Sequence, residues 1–401
     1  MTWSSKVAAA LALALFPALA AAADKPVRIG VLNDQSSVYA DYQGEGSVIA
    51  ARLAVEDFGN RLGAPVEVVT ADHQNKVDVG SVITQRWFDQ EGVDMIVDVP
   101  NSAIALAVNT IAKDRNKVFI GSGAGTAELT GKACTPNTVH WTYDTWSLGH
   151  SFGRAVTRRG GKKWFFITAD YAFGKDLEAQ ASEEVKAQGG EVIGAVRPAL
   201  GTPEFSTFLV QAQSSGADVI AFAVAGGDLT NALKQAAEFG MTGRFHMPAF
   251  VFNINNVQAL GLAASQGVLV ITPFYWDMNE STRAFARRFS ERHPRKLMPN
   301  DMQAGVYAAV THYLKAVAAL KSAADGRAVV AKMKETPTDD PLFGKGVVRA
   351  DGRKTHPVFL YEVKKPSESK GGWDYFKLLA TIPAEEAYRP LAQGHCPLVK
   401  G

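Results

Sequence analysis

The chain has 401 residues, of which 47% are hydrophobic and 20% charged. Its 42 Lys and Arg stand against 40 Asp and Glu, a net charge of +2, which argues against a nucleic-acid binder that works through bulk charge. Ample apolar content excludes global disorder, and two cysteines exclude a disulfide-dense scaffold or a Cys-based zinc module.

The N-terminus reads as an export address. Met1 to Lys6 carries one basic residue, Val7 to Phe16 is apolar, and Ala18 to Ala23 supplies small residues. Ala21-x-Ala23 before Asp24 is the expected cut, so residues 1–23 form a secretory signal peptide. About ten apolar residues fall short of the ~20 that span a bilayer, and no later segment reaches that length without charge. The mature chain is expected to be soluble, and no Cys stands at the cut to carry a lipid. Its 401 − 23 = 378 residues exceed one core of roughly 100–200, so two lobes are expected.

From Val27 onward, short β-branched runs alternate with amphipathic stretches of helical length. Strands are expected at Val27–Leu32, Val66–Val69, Met95–Val97 and Val118–Ile120. Helices fall between them, near 46–61, 77–88 and 103–114, the last N-capped by Ser102. Such alternation predicts a parallel sheet covered on both faces. The pattern restarts with strands at Trp164–Thr168, Glu191–Val196, Val219–Ala223, His246–Phe252 and Val268–Ile271. Helices near 175–188, 205–214 and from Asp228 or Thr230 to Phe239 separate the first four. Helices at 281–292 and 301–320 follow, then β-like segments near 347–349, 357–363 and 375–379. The expected division is 24–143 with 274–350 as lobe one, and 144–273 with 351–401 as lobe two. Several crossings between lobes imply a hinge of limited freedom. Cys134, in a loop-like stretch, and Cys396, in the tail, either pair in an oxidising compartment or remain free thiols.

In open α/β sheets the ligand crevice lies beyond the carboxyl ends of the strands. Four loops there carry candidate chemistry. They are Asn33 to Tyr42, Asp98 to Ser102, Gly121 to Thr126, and Ala169 to Gly174. Asn101, Ser102 and Thr126 offer polar side chains, while backbone N–H groups near Ala124 and Gly125 can approach an oxygen closely. A helix N-terminus adds partial positive charge, so a small carboxylate can be held without Arg. Turn chemistry alone also explains Gly and Ser in such loops. Tyr39, Tyr42, Tyr171 and Phe173 are candidate walls.

These loops resemble those of the periplasmic branched-chain amino-acid binding proteins, the solute receptors of ABC importers. The resemblance rests on the Tyr-bearing loop after Val27–Leu32, on Asn101-Ser102, on Gly121–Thr126 followed by Glu128-Leu129-Thr130, on Asp170-Tyr171-Ala172-Phe173-Gly174, and on Gln303–Ala309. It implies the type I periplasmic binding fold, α/β, with two doubly wound parallel-sheet lobes joined by three crossovers. It also implies a ligand carboxylate held by Ser102 or Asn101 and by Thr126, with backbone help near Ala124. Phe173 would line the opposite wall and Tyr39 would cover the mouth. The family's acidic partner for an α-ammonium is missing, because Phe250 to Asn255 contains no carboxylate. Asp228 is a substitute candidate, with helix capping as its alternative role. An apolar or aromatic acid, or an amide, becomes credible, with Phe252, Tyr275 and Trp276 as further walls.

Enzyme motifs carry less weight. Gly149-His150-Ser151-Phe152-Gly153 matches G-x-S-x-G, yet its surroundings read as helix rather than the strand-to-helix turn a Ser151 esterase requires. Eight scattered histidines, His73 among them, support no metal cluster. The expectation is therefore a periplasmic, monomeric, non-enzymatic solute receptor with no cofactor and no metal. Its partners would be a small ligand and an ABC permease. A periplasmic sensor of the same fold is the alternative.

Overall fold

The computed structural model describes residues 25–399, so the expected signal peptide lies outside the described residues. The chain runs β1 (Val27–Asn33), α1 (Gly44–Phe58), β2 (Val66–Asp72), α2 (Val77–Asp89), β3 (Met95–Asp98), α3 (Ser102–Asp114), β4 (Val118–Gly121) and β5 (Thr138–His140). These strands form one parallel sheet in the order β2-β1-β3-β4-β5. Successive residues of a strand point to opposite faces, and the core obeys that rule. Met95 and Val97 of β3 enter one cluster with Ile29, Ile120 and Leu53, while Ile96 enters another with Phe119, Ile104 and Trp87. Both faces of the sheet are thus covered, as a parallel sheet requires.

The second series is α4 (Thr145–Arg158), β6 (Lys163–Thr168), α5 (Ala172–Ala187), β7 (Glu191–Val196), α6 (Ser206–Ser214), β8 (Val219–Ala223), α7 (Gly226–Glu238), α8 (Ile254–Leu260), α9 (Leu262–Ser265) and β9 (Leu269–Thr272). The remaining elements are α10 (Glu280–Arg292), α11 (Asp301–Leu320), α12 (Gly326–Glu335), β10 (Thr338–Asp340), β11 (Gly344–Val348), β12 (Lys354–Thr355), β13 (Val358–Val363) and β14 (Phe376–Ile382). The second lobe departs from an all-parallel sheet. Its parallel part is β7-β6-β8, and β9 joins β13 and β14 in a separate antiparallel group. The strand expected at 246–252 is reduced to isolated bridges, Val219 with His246 and Phe222 with Ala249. Pro248 supplies no N–H to extend a ladder there.

The chain passes between lobes from β5 to α4, from β9 to α10, and from β12 to β13. Fully buried Arg353, beside the β12–β13 passage, is tied to the β5–α4 passage. Its guanidinium donates to the Trp141 and Tyr143 carbonyls and to the Asp144 carboxylate, while Asp144 caps α4 through the Ser147 N–H. The end of the chain differs from the expected division. Residues 352–355 pair with His140 and β11, and Arg389 donates to the Ala127 carbonyl, all in the first lobe. Cys134 and Cys396 form a disulfide that fastens this tail. Among the described residues no helix is long and apolar enough to cross a membrane.

Candidate functional site

The carboxyl ends of β1, β3 and β4 face those of β6 and β8 across a cleft. After β1, the Asp34 carboxylate accepts from the N–H groups of Ser37 and Tyr39, at 2.9 and 2.8 Å, and so folds the loop that carries Tyr39 inward. Tyr42 follows, donating through its hydroxyl to the Val251 carbonyl and Asn256 Oδ1 of the second lobe. After β3, Asp98 and Val99 take φ of 89° and 55°, a left-handed backbone that a β-branched residue rarely adopts. Such strain persists only where the surroundings over-determine it. The Asp98 carboxyl accepts from Asn33 Nδ2, and its full burial pushes its pKa up to about 7.

The Gly-rich loop after β4 needs its glycines. A Cβ on Gly123 would stand 2.6 Å from Asp98 Oδ1 and 2.8 Å from Gln43 Nε2. A Cβ on Gly125 would meet the Phe173 ring at 2.7 Å. Ser102 Oγ accepts from the Thr126 N–H at 3.2 Å. Among the described residues no acceptor takes the N–H groups of Ala124 and Gly125.

The lobes meet closely. Tyr39 and Tyr171 share a hydrogen bond between their hydroxyls, and burial raises both pKa values. Gly227 N–H donates to the Val38 carbonyl at 2.8 Å. Asp176 on α5 accepts from Thr126 Oγ1 at 2.8 Å, Ala127 N at 3.0 Å and Thr145 Oγ1 at 2.7 Å. The cavity left between the lobes is only about 10 Å³, walled by Tyr39, Tyr42, Tyr143, Tyr171 and Phe173 together with Gln43 and Gly123. That volume holds no more than a single water. No Arg, Lys, Asp or Glu is among its lining residues. Gln43, 1% exposed, donates through Nε2 to Met302 Sδ, and its Oε1 is buried without a partner.

The structure brings Tyr39 and Phe173 into this wall, with Ser102, Ala124 and Gly125 buried beside it. Other expected residues stand elsewhere. Asn101, not Ser102, caps α3, accepting from the Ala103 and Ile104 N–H groups, so its side-chain oxygen is occupied. Thr126 Oγ1 faces Asp176. Asp228 neither caps α7 nor lines the cavity; it accepts from the Gly201 N–H, and burial raises its pKa to about 6. Phe252 lies instead on the wall of a larger cavity, about 810 Å³, within the second lobe. That cavity opens between α7, α8 and the start of β9, away from the strand ends that carry the site chemistry. Tyr275 and Trp276 both donate to the Trp373 carbonyl in the second-lobe core. Ser151 sits within α4, not at a strand-to-helix turn. His73 is buried, which lowers its pKa to about 4.

Gln43, Tyr143 and Asp176 were missed in the sequence. Gln43 begins a helix and Tyr143 a crossover, positions with no motif of their own. Asp176, three residues after Phe173, lies one helical turn along the same face, and that spacing was the available signal.

A family profile described as periplasmic binding protein matches residues 26–372. The chain is 46% identical to a periplasmic binding protein of known structure from Burkholderia mallei, with a TM-score of 0.91, covering 94% of this chain and 99% of that one. It is 26% identical to Leu/Ile/Val-binding protein homolog 6 of Brucella melitensis, over 90% of this chain and 94% of the relative. A solute-binding protein of an ABC transporter from R. palustris, solved with benzoate, is 22% identical. It superposes with a TM-score of 0.81, covering 90% of this chain and 97% of that one, a likeness of fold alone.

Proposed function

The chain belongs to the periplasmic binding protein family, and from that premise we propose that it captures a small aromatic or apolar carboxylate for an ABC importer. The observation that carries this reading is the composition of the cleft. Five aromatic rings wall it, and among the described residues no charged side chain lines it and two N–H groups of the Gly-rich loop have no protein acceptor. A carboxylate placed on the Ala124 and Gly125 N–H groups and the Ser102 hydroxyl needs no Arg, and the N-terminus of α3 adds favourable potential. An α-ammonium finds no carboxylate among the lining residues. The apolar body of the ligand would lie between Phe173 and the tyrosine rings. The benzoate-bound relative supports this reading by its fold.

The lobes are in contact across the cleft, so capture requires them to part, Tyr39 to separate from Tyr171, and the ligand to replace those contacts. Only a guest that bridges both lobes shifts that balance toward the closed form. Residues 1–23 would direct export and be removed, and the mature monomer would hand its cargo to a membrane permease. The test is a thermal-shift series with benzoate, hydroxybenzoates, leucine and phenylalanine, since a ligand that binds only the native state raises apparent stability. The aromatic acids should raise the melting temperature, and Ser102→Ala should diminish that rise. Stabilisation by leucine or phenylalanine with no response to the aromatic acids would replace this reading with an amino-acid receptor.

A further inference from the structure

The geometry points to Gln43 as the residue that sets ligand choice, selecting carboxylic acids whose aromatic ring carries a hydroxyl. This assignment rests on the aromatic-acid reading of the cleft. Gln43 precedes α1, and its backbone is held at both ends, the N–H by the Tyr39 carbonyl and the carbonyl by Ser47 N–H. Its amide is held as well. Nε2 donates to Met302 Sδ, and the same end lies beside Gly123, where a Cβ would stand within 2.8 Å of it and 2.6 Å of Asp98 Oδ1. A thioether sulfur accepts and cannot donate, so the NH2 end belongs there and the carbonyl end faces away from Met302.

Among the described residues no donor meets Oε1, which is buried on a residue that lines the cavity. A buried carbonyl in that state is costly, and a ligand hydroxyl placed against it removes the cost. The neighbouring hydroxyls do not do so. Tyr42 donates to Val251 and Asn256, Tyr143 donates to the Gly123 carbonyl, and the Tyr39–Tyr171 pair, which has one O–H to spare, does not reach it. With the carboxylate at Ser102 and the Gly-rich loop, a ring hydroxyl is the ligand donor that this acceptor lacks. A site built around a hydroxyl discriminates strongly against the analogue without it, because its own polar group is then left unpaired.

Isothermal titration of wild type, Gln43→Leu and Gln43→Met with benzoate, 3-hydroxybenzoate and 4-hydroxybenzoate tests the assignment. Wild type should bind one hydroxybenzoate at least about tenfold more tightly than benzoate. Both variants should lose that preference, with the hydroxylated acid weakened and benzoate strengthened, because no acceptor is then left dry. Benzoate binding also reports that each variant is folded. A preference for benzoate in wild type, or a hydroxyl preference that survives both substitutions, overturns the role of Gln43 and leaves the aromatic-acid reading standing. Failure of all three acids to bind wild type overturns both.

Discussion

The Thr126 hydroxyl donates to the Asp176 carboxylate across the cleft at 2.8 Å, so a group expected to hold a ligand anion holds the protein's own. Ala127 N and Thr145 Oγ1 complete the same grip. Asp176 thus acts as a latch between the Gly-rich loop of one lobe and α5 of the other. Asp176→Ala removes three charge-assisted bonds and should shift the empty protein toward an open form. Small-angle scattering should show a larger radius of gyration for the variant without ligand. An unchanged radius would mean the latch does not govern closure.

Asp98 makes a pH prediction with a definite sign. Burial raises its pKa from 3.8 to about 7, so the folded state keeps a proton that the unfolded chain has released. Its contribution is full below about pH 4 and is lost as pH rises through 7. Buried His73 and His140, both lowered to about 4, act in the opposite sense over the lower part of that range. Comparing Asp98→Asn with wild type cancels those contributions, and Asn tolerates the left-handed backbone at this position. The melting temperature of the variant relative to wild type should climb from pH 4 to 7 and then level off. A flat difference would show that Asp98 is not held protonated.

Arg353 is fully buried, and its guanidinium holds backbone carbonyls of one passage between the lobes while sitting on another. Truncation to Ala leaves the Trp141 and Tyr143 carbonyls without this donor and Asp144 Oδ2 without its ion pair. A loss of about 3–5 kcal/mol is expected from breaking such a buried charged group. Urea unfolding of Arg353→Ala should show the lower midpoint, and a shift below about 1 kcal/mol would argue that water takes the place of the guanidinium.

The Cys134–Cys396 bridge closes a separation of 262 residues and ties down the tail. Cys396→Ser should lower stability by about 2–5 kcal/mol, read as a fall in melting temperature that a reductant reproduces in wild type. Equal melting temperatures for the oxidised and reduced protein would limit the bridge to holding the last residues in place.

Much of the framework was legible in the residues. The alternation of β-branched runs with helical periodicity located β1 to β4 and β6 to β8, because burial on both faces forces continuous apolar strands. The loops beyond those strands were legible too, and Tyr39, Phe173 and Gly125 converge in the cleft. The antiparallel pairing of β9 with β13 was not, since strand direction depends on a return of the chain some ninety residues later.

Local pattern by itself thus determined which segments fold and which loops stand at the sheet ends, because periodicity records burial. Tertiary structure alone decided who bonds to whom. Whether Thr126 is free, whether Gln43 has a partner, where Phe252 faces and whether Cys396 reaches Cys134 depend on groups that approach from distant parts of the chain. A hydrogen bond selects by position within a few tenths of an ångström, and no spacing along a sequence encodes that.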